Sequence, residues 1–224
     1  MVNPSSYHAV VTGDIVRSTR LSKEAFQAVQ DAIVRAGEEL ARHFPGRLPY
    51  PVELFRGDSW QMFLPDPGDA LRLGLFVRAF VRAEAGRVDT RIAIGVGSVD
   101  KMPERSVGDG RGDAFRISGE LADVKGGSRM RFAIIHEPAA WWQERSISAV
   151  LTVLDGMVSR WTSAQGTAVC GALLGRKQEQ IAEQWPRRPI TQQSAGQHLA
   201  RAGWDGVREA VEYYEDVMNA RAAR

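Results

Sequence analysis

The chain has 224 residues, a net charge of +2 and 44% hydrophobic residues, enough to bury a sizeable core in one or two domains. The charge is spread over both halves and so does not announce a nucleic-acid binder; the lone Cys170 excludes an intrachain disulfide, and His8, His43, His136 and His198 lack zinc-ligand spacing. With no basic leader ahead of an apolar core and no run of about 18 apolar residues, a cytoplasmic protein without a membrane partner is expected.

Tyr7 to Val16 is rich in β-branched residues and predicts a strand, and Ser22 to Phe44 repeats apolar residues at helical spacing. Val52 to Leu64 alternates around Gly57-Asp58, which predicts a hairpin with a two-residue turn. Pro65 to Asp69 is a loop, Ala70 to Glu84 an amphipathic helix, and Asp89 to Val99 a strand whose Gly95 and Gly97 allow close backbone approach. The order strand, helix, strand, strand, helix, strand predicts an α/β (α+β) domain of the ferredoxin-like, palm-type βαββαβ pattern.

Lys101 to Gly112 then reads as a polar loop, Asp113 to Val124 as a helix ended by Lys125-Gly126-Gly127, and Arg131 to Ile135 as a strand broken at Glu137-Pro138. Beyond it only helical patterns follow, three or four of them between Ile147 and Met218. The domains expected are therefore 1–138 and 139–224, the second all-helical.

Two stretches carry the chemistry: Thr12-Gly13-Asp14-Ile15-Val16-Arg17-Ser18-Thr19, and Phe55-Arg56-Gly57-Asp58-Ser59-Trp60-Gln61. Each sets an aspartate behind a glycine in an apolar, strand-like run, where a buried charge is costly unless something binds it. A right-handed crossover through the first helix makes the first strand parallel to the strand entering the hairpin. The hairpin tip then meets the C-terminal end of the first strand, and Asp14 approaches Asp58. Two close carboxylates repel unless a cation sits between them, and Mg²⁺ typically takes one or two carboxylates and leaves its other positions to water and phosphate oxygens. Trp60 alternates with Met62 and Leu64 and reads as core.

Gly13-Asp14-Ile15-Val16-x-Ser18-Thr19, Gly57-Asp58, the strand Arg91 to Gly97 and Asp109-x-x-Gly112-Asp113-Ala114 follow in the order of class III nucleotidyl cyclase domains. The chain resembles still more closely the bacterial SatD family, which shares that fold, over about residues 7 to 135. The resemblance implies that Asp14 and Asp58 are the catalytic, metal-binding aspartates for Mg or Mn, with the Ile15 carbonyl as backbone ligand. It also implies that the amides around Val16, Ser18 and Thr19 meet phosphate oxygens and that Asp109 reads the base. Leu54 stands where cyclases carry a base-reading side chain, and Arg116 and Glu120 align with their asparagine and arginine that support the transition state. A carboxylate in place of that cation argues against ordinary cyclisation. Arg116 is open to two roles, a phosphate contact or an i,i+4 pair with Glu120. Cyclase homodimers share residues across their sites, so a homodimer is implied.

Lys177 to Trp185 and Thr191 to Trp204 read as two helices, and Gln-x-x-Ile-Ala, Thr-Gln-Gln-Ser-Ala and Leu-x-x-Ala-Gly-Trp are similar to helix-turn-helix segments. In such a fold the second helix enters the major groove. Thr191, Gln192, Gln193, Ser194 and Gln197 would face base edges and Arg187 and Arg188 phosphates of double-stranded DNA, with a solvated helical bundle as the alternative. The reading from sequence is a regulator that binds a nucleoside triphosphate with a metal ion and contacts DNA. The alternatives are an active nucleotidyltransferase or cyclase, and an interaction module that has lost both functions.

Overall fold

The computed structural model describes residues 7–135 and 141–222. Among them the chain forms one five-stranded mixed sheet and eight α-helices. Strands β1 (His8–Asp14), β2 (Glu53–Phe55), β3 (Ser59–Leu64), β4 (Ile92–Gly97) and β5 (Met130–Ile134) lie in the order β2-β3-β1-β4-β5. All pairings are antiparallel except β4 with β5.

Helix α1 (Lys23–His43) starts at Ser22, whose hydroxyl accepts the Ala25 N–H at 3.2 Å. Its buried Val29, Ala32, Ile33, Ala36 and Leu40 keep helical spacing and pack against α2 (Ala70–Glu84). α2 is buried on most sides because the sheet and α1 lie on one flank and α5 (Ser163–Leu173) on the other. Helix α3 (Asp113–Asp123) crosses from β4 to β5 and covers the opposite face of the sheet. It comes so close that a Cβ on Gly95 would lie 2.5 Å from the Ser118 nitrogen, as the two strand glycines led one to expect.

The C-terminal half adds α4 (Trp141–Val158), α6 (Gln178–Glu183), α7 (Gln192–Ala202) and α8 (Trp204–Ala222), five helices with α5 rather than the three or four read from the pattern. Two of the five, α6 and α7, fall within the helices read over Lys177 to Trp185 and Thr191 to Trp204. The domain boundary expected near Pro138 falls outside the described residues. On either side of it the hydrophobic packing is continuous, with Leu71 and Leu73 in the same cluster as Leu151, Val169, Tyr214 and Met218. No described helix is long and apolar enough to cross a membrane.

The hairpin differs from the expected two-residue turn. Phe55 pairs with Ser59, so Arg56, Gly57 and Asp58 all lie in the loop. Arg56 and Gly57 both have positive φ, 49° and 85°, the sign that the centre of a type I′ turn requires. Asp58 is the added residue, so it leaves the ladder and can turn toward β1.

Candidate functional site

β1 and β4 are neighbours, and β3 flanks β1 on the other side, so Asp14 lies between Ser59 on β3 and Arg91 just ahead of β4. The backbone ties these positions together: the Arg91 N–H donates to the Asp14 carbonyl and the Ile15 N–H to the Asp58 carbonyl, both at 2.9 Å. The Gln30 side chain on α1 holds the hairpin tip by donating to the Gly57 carbonyl at 2.6 Å. Asp14 and Asp58 thus meet at one end of the sheet.

The two carboxylates have different surroundings. Asp58 Oδ2 accepts the Ser18 hydroxyl at 2.6 Å. Asp14 Oδ2 is bound by the Arg91 guanidinium, while Asp14 Oδ1 is buried without a hydrogen-bond partner. Burial pushes the Asp14 carboxyl above its ordinary range and the charge of Asp58 adds to this, against the opposing pull of Arg91. An orphaned oxygen on a carboxylate crowded by a second carboxylate fits a cation ligand. Among the described residues no three His, Cys, Asp or Glu side chains gather closely enough to hold a metal. Two carboxylates completed by a backbone carbonyl and water meet the ordinary demand of Mg²⁺.

Alternation along the strands puts Thr12 and Asp14 on the sheet face that α3 covers. The Gln61 amide donates to Thr12 Oγ1 and that hydroxyl to Ser118 Oγ on α3, each at 3.0 Å. Beyond them opens a cavity of about 360 Å³ lined by Thr12, Ser59, Gln61, Glu53, Arg111 and Phe115 among others. Glu53, not Leu54, faces it, and its carboxylate accepts the Gly108 N–H at 3.0 Å. Sequence reasoning passed over Glu53 because its face depends on the hairpin register, which the longer loop shifts.

Other expected site residues are used differently. The Val16 amide is already spent on the Asp89 carbonyl at 2.9 Å, so it does not meet a phosphate. Ser18 and Thr19 begin a 3₁₀ turn, Ser18–Arg20, behind Arg17 at φ 58°. Asp109 turns back on its own loop, accepting the Ser106 N–H at 3.2 Å and the Arg105 N–H at 3.3 Å. Arg116 lies on the exposed side of α3 between Asp113 at 2.8 Å and Glu120 at 3.0 Å, the i,i+4 pair that was one of its two readings.

Nothing in the sequence pattern signals the buried ionic network behind the site. Arg78 on α2 is fully buried and donates to both oxygens of Asp89 at 2.8 Å. It also pairs with Asp155 of α4 at 2.8 Å, and Arg129 pairs with Asp89 at 2.8 Å. From Asp89 the chain runs directly into Thr90 and Arg91, and the Thr90 hydroxyl donates to the Asp14 carbonyl at 2.9 Å.

In the C-terminal half, Thr191 caps α7: its hydroxyl accepts the Ser194 N–H at 3.1 Å and lies 2.8 Å from the Ser194 hydroxyl. Ala195, Leu199 and Ala202 form the buried face of α7, leaving Gln192, Gln193 and Gln197 exposed. Arg187 and Arg188 are exposed in the turn between α6 and α7, Arg187 with φ 71°. A Cβ on Gly196 would come within 2.8 Å of the Gln178 side chain, so α6 and α7 are closely apposed.

Models of known protein families give no match to the chain, and no curated protein matches it.

Proposed function

We propose that this chain is a metal-dependent, nucleotide-binding regulator. Its ferredoxin-like, cyclase-like palm (1–138) resembles the SatD family and is joined to a helix-turn-helix domain (139–224). The observation that carries the reading is the meeting of Asp14 and Asp58 at one sheet end, with Asp14 Oδ1 buried and unpaired. The strand order β2-β3-β1-β4, with α1 and α2 packed together, supports the palm assignment. Asp14, Asp58 and the Ile15 carbonyl would hold Mg²⁺ or Mn²⁺, and the bound ion would neutralise the phosphates of a nucleoside triphosphate. The cavity beside Ser59 and Gln61 is of a size to receive the rest of the nucleotide.

Regulation is favoured over turnover because Arg116 is engaged by Asp113 and Glu120 and does not line that cavity. In a homodimer, Asp109 and Arg116 would serve the site of the other copy only on release from their own loop and helix partners. The exposed row Gln192, Gln193 and Gln197 on α7, with Arg187 and Arg188 ahead of it, supports contact with double-stranded DNA. The Arg78 network joins α4 to the segment ahead of β4 that carries Asp89 and Arg91, which gives the two halves a physical link. A regulator of this kind would work in the cytoplasm.

The test is to titrate each nucleoside triphosphate with Mg²⁺ or Mn²⁺ into the protein and into Asp58→Ala, follow products by mass spectrometry, and repeat with DNA fragments. Binding without turnover that is lost in Asp58→Ala supports the regulator. A new product lost in the variant would make the chain a nucleotidyltransferase or cyclase. Absence of both nucleotide and DNA binding would leave an interaction module.

A further inference from the structure

The turn that leads from α4 into α5 is anchored on both sides of Arg160. Arg82 of α2 is buried and donates to the Ser159 carbonyl at 3.2 Å and to the Trp161 carbonyl, the two that flank Arg160. The Trp161 indole donates to the Ala202 carbonyl at 2.9 Å and so ties the turn to the last residue of α7. The Ser159 hydroxyl donates to Asp155 and accepts from Arg78, each at 3.0 Å. Arg160, between these anchors, is exposed.

The anchored turn sets Arg160 beside Arg201 near the C-terminal end of α7. The two line one cleft of about 270 Å³ together with Gln165 and Gly203. Both are exposed, and among the described residues neither side chain has a hydrogen-bond or ion-pair partner. Gln165 spends its oxygen on the Thr162 N–H at 2.7 Å, which leaves its amide hydrogens to donate. Two neighbouring guanidinium groups with no carboxylate between them repel, and the planar fork of each suits phosphate oxygens.

The place of this pair on the helix gives the phosphate a source. Gln193, Gln197 and Arg201 follow at i, i+4 spacing and are all exposed, so they form one stripe along α7. Arg187 and Arg188 stand ahead of its first turn, and Arg160 stands beside its last. From Gln192 to Arg201 the helix rises about 14 Å. The major groove is about 12 Å wide, so a helix lying in it reaches the backbone near both of its ends.

We propose that Arg160 and Arg201 form a clamp on DNA phosphates at the C-terminal end of α7, on the wall of the groove opposite Arg187 and Arg188. The clamp rests on the reading of α7 as the helix that enters the groove. It adds to the DNA surface a turn from outside the α6–α7 pair. It also puts a phosphate contact next to Ser159, whose hydroxyl belongs to the buried network of Arg78 and Asp155.

The experiment titrates the full chain into a fluorescent duplex of about two helical turns and arbitrary sequence, read by anisotropy over a salt series. Arg160→Gln and Arg201→Gln are each expected to weaken binding about three- to tenfold at about 50 mM salt and to reduce the slope of log affinity against log salt by about one. The double variant reduces the slope by about two, and Arg160→Lys, which keeps the charge, retains it. Lys101→Gln removes an exposed charge beyond the end of β4 that lies away from Asp14, and it leaves affinity and slope at the parent's values. Slopes unchanged in both glutamine variants, or lowered as much by Lys101→Gln, overturn the clamp. If Arg188→Ala still lowers the slope in that case, the DNA reading stands without the clamp. If the parent binds no duplex at the lowest salt, both fall.

Discussion

Asp89 ahead of β4 and Asp155 on α4 share the buried guanidinium of Arg78, which bonds both oxygens of Asp89 and one of Asp155, all at 2.8 Å. The same Asp89 lends its carbonyl to the Val16 N–H beside Asp14. The network therefore joins helices of both halves of the chain to the backbone that carries the candidate site.

Arg78→Met should be among the most damaging single changes. It keeps much of the apolar stem but leaves Asp89 and Asp155 without their shared cation. Breaking a buried pair from one side costs about 3–5 kcal/mol. Urea unfolding should show this as a lower midpoint with little change in slope. An unchanged midpoint would mean that water reaches the two carboxylates.

Asp155 and Asp14 should respond to pH in opposite senses. Burial raises the Asp155 carboxyl, but Arg78, the Arg129 N–H and the Ser159 hydroxyl bring it to a net position below its ordinary 3.8. Its stabilising contribution is therefore complete above 3.8 and lost as pH falls through the lower folded value. Asp14 is raised above 3.8, so in that window the folded chain holds the extra proton and stability falls as pH rises. At neutral pH its charge is a cost. Thermal melts from acid to neutral pH should find Asp155→Asn less stable than the parent at neutral pH. Asp14→Asn should melt no lower than the parent while losing Mn²⁺ binding, because a charge kept at the expense of stability points to a ligand. Asp14→Asn melting well below the parent would make the Asp14–Arg91 pair structural.

Gly13 precedes Asp14 for a reason of packing. A Cβ there would run into the Trp60 indole and the Arg91 carbonyl. That indole donates to the Thr90 hydroxyl at 2.7 Å, which in turn holds the Asp14 carbonyl at 2.9 Å. Gly13→Ala is expected to cost at least about 1–3 kcal/mol in unfolding experiments, the usual range for overpacking. Metal and nucleotide binding should weaken with it. Full stability in the alanine variant would show that Trp60 can move aside.

The parts of this site legible in the sequence were those set by short-range chain logic. A strand, a helical crossover and a hairpin are enough to bring Asp14 to Asp58, and alternation with Met62 and Leu64 was enough to bury Trp60. Whatever depends on which strands become neighbours was not legible. Arg91 reaches Asp14 only because β4 pairs with β1, and Arg78 meets Asp155 across 77 positions of sequence only because α2 lies between the sheet and the C-terminal helices. The loop of three residues in place of two escaped notice because Gly57-Asp58 suits a two-residue turn, while Arg56 at positive φ has no sequence signature. The same reason applies to Val16 and Asp109: a backbone amide or a loop carboxylate looks available until its partner within the chain is known.

The C-terminal helices allow a separation of structural from recognition roles. Thr191 caps α7, so Thr191→Ala should cost about 1 kcal/mol of stability. Any loss of DNA affinity in that variant would follow from fraying of the first turn. Arg188 is exposed in the turn and carries no such duty, so Arg188→Ala should leave the melting temperature unchanged. If its guanidinium meets a phosphate, affinity should fall alike for all DNA sequences and the salt slope should shrink by about one. Gln193→Ala should instead cost affinity only for the preferred site, by about 1–3 kcal/mol for a bidentate contact to adenine. Fluorescence anisotropy over a salt series distinguishes the three. Binding that is indifferent to Arg188 and Gln193 at every salt concentration would remove α7 from the DNA interface and leave it as one wall of the helical bundle.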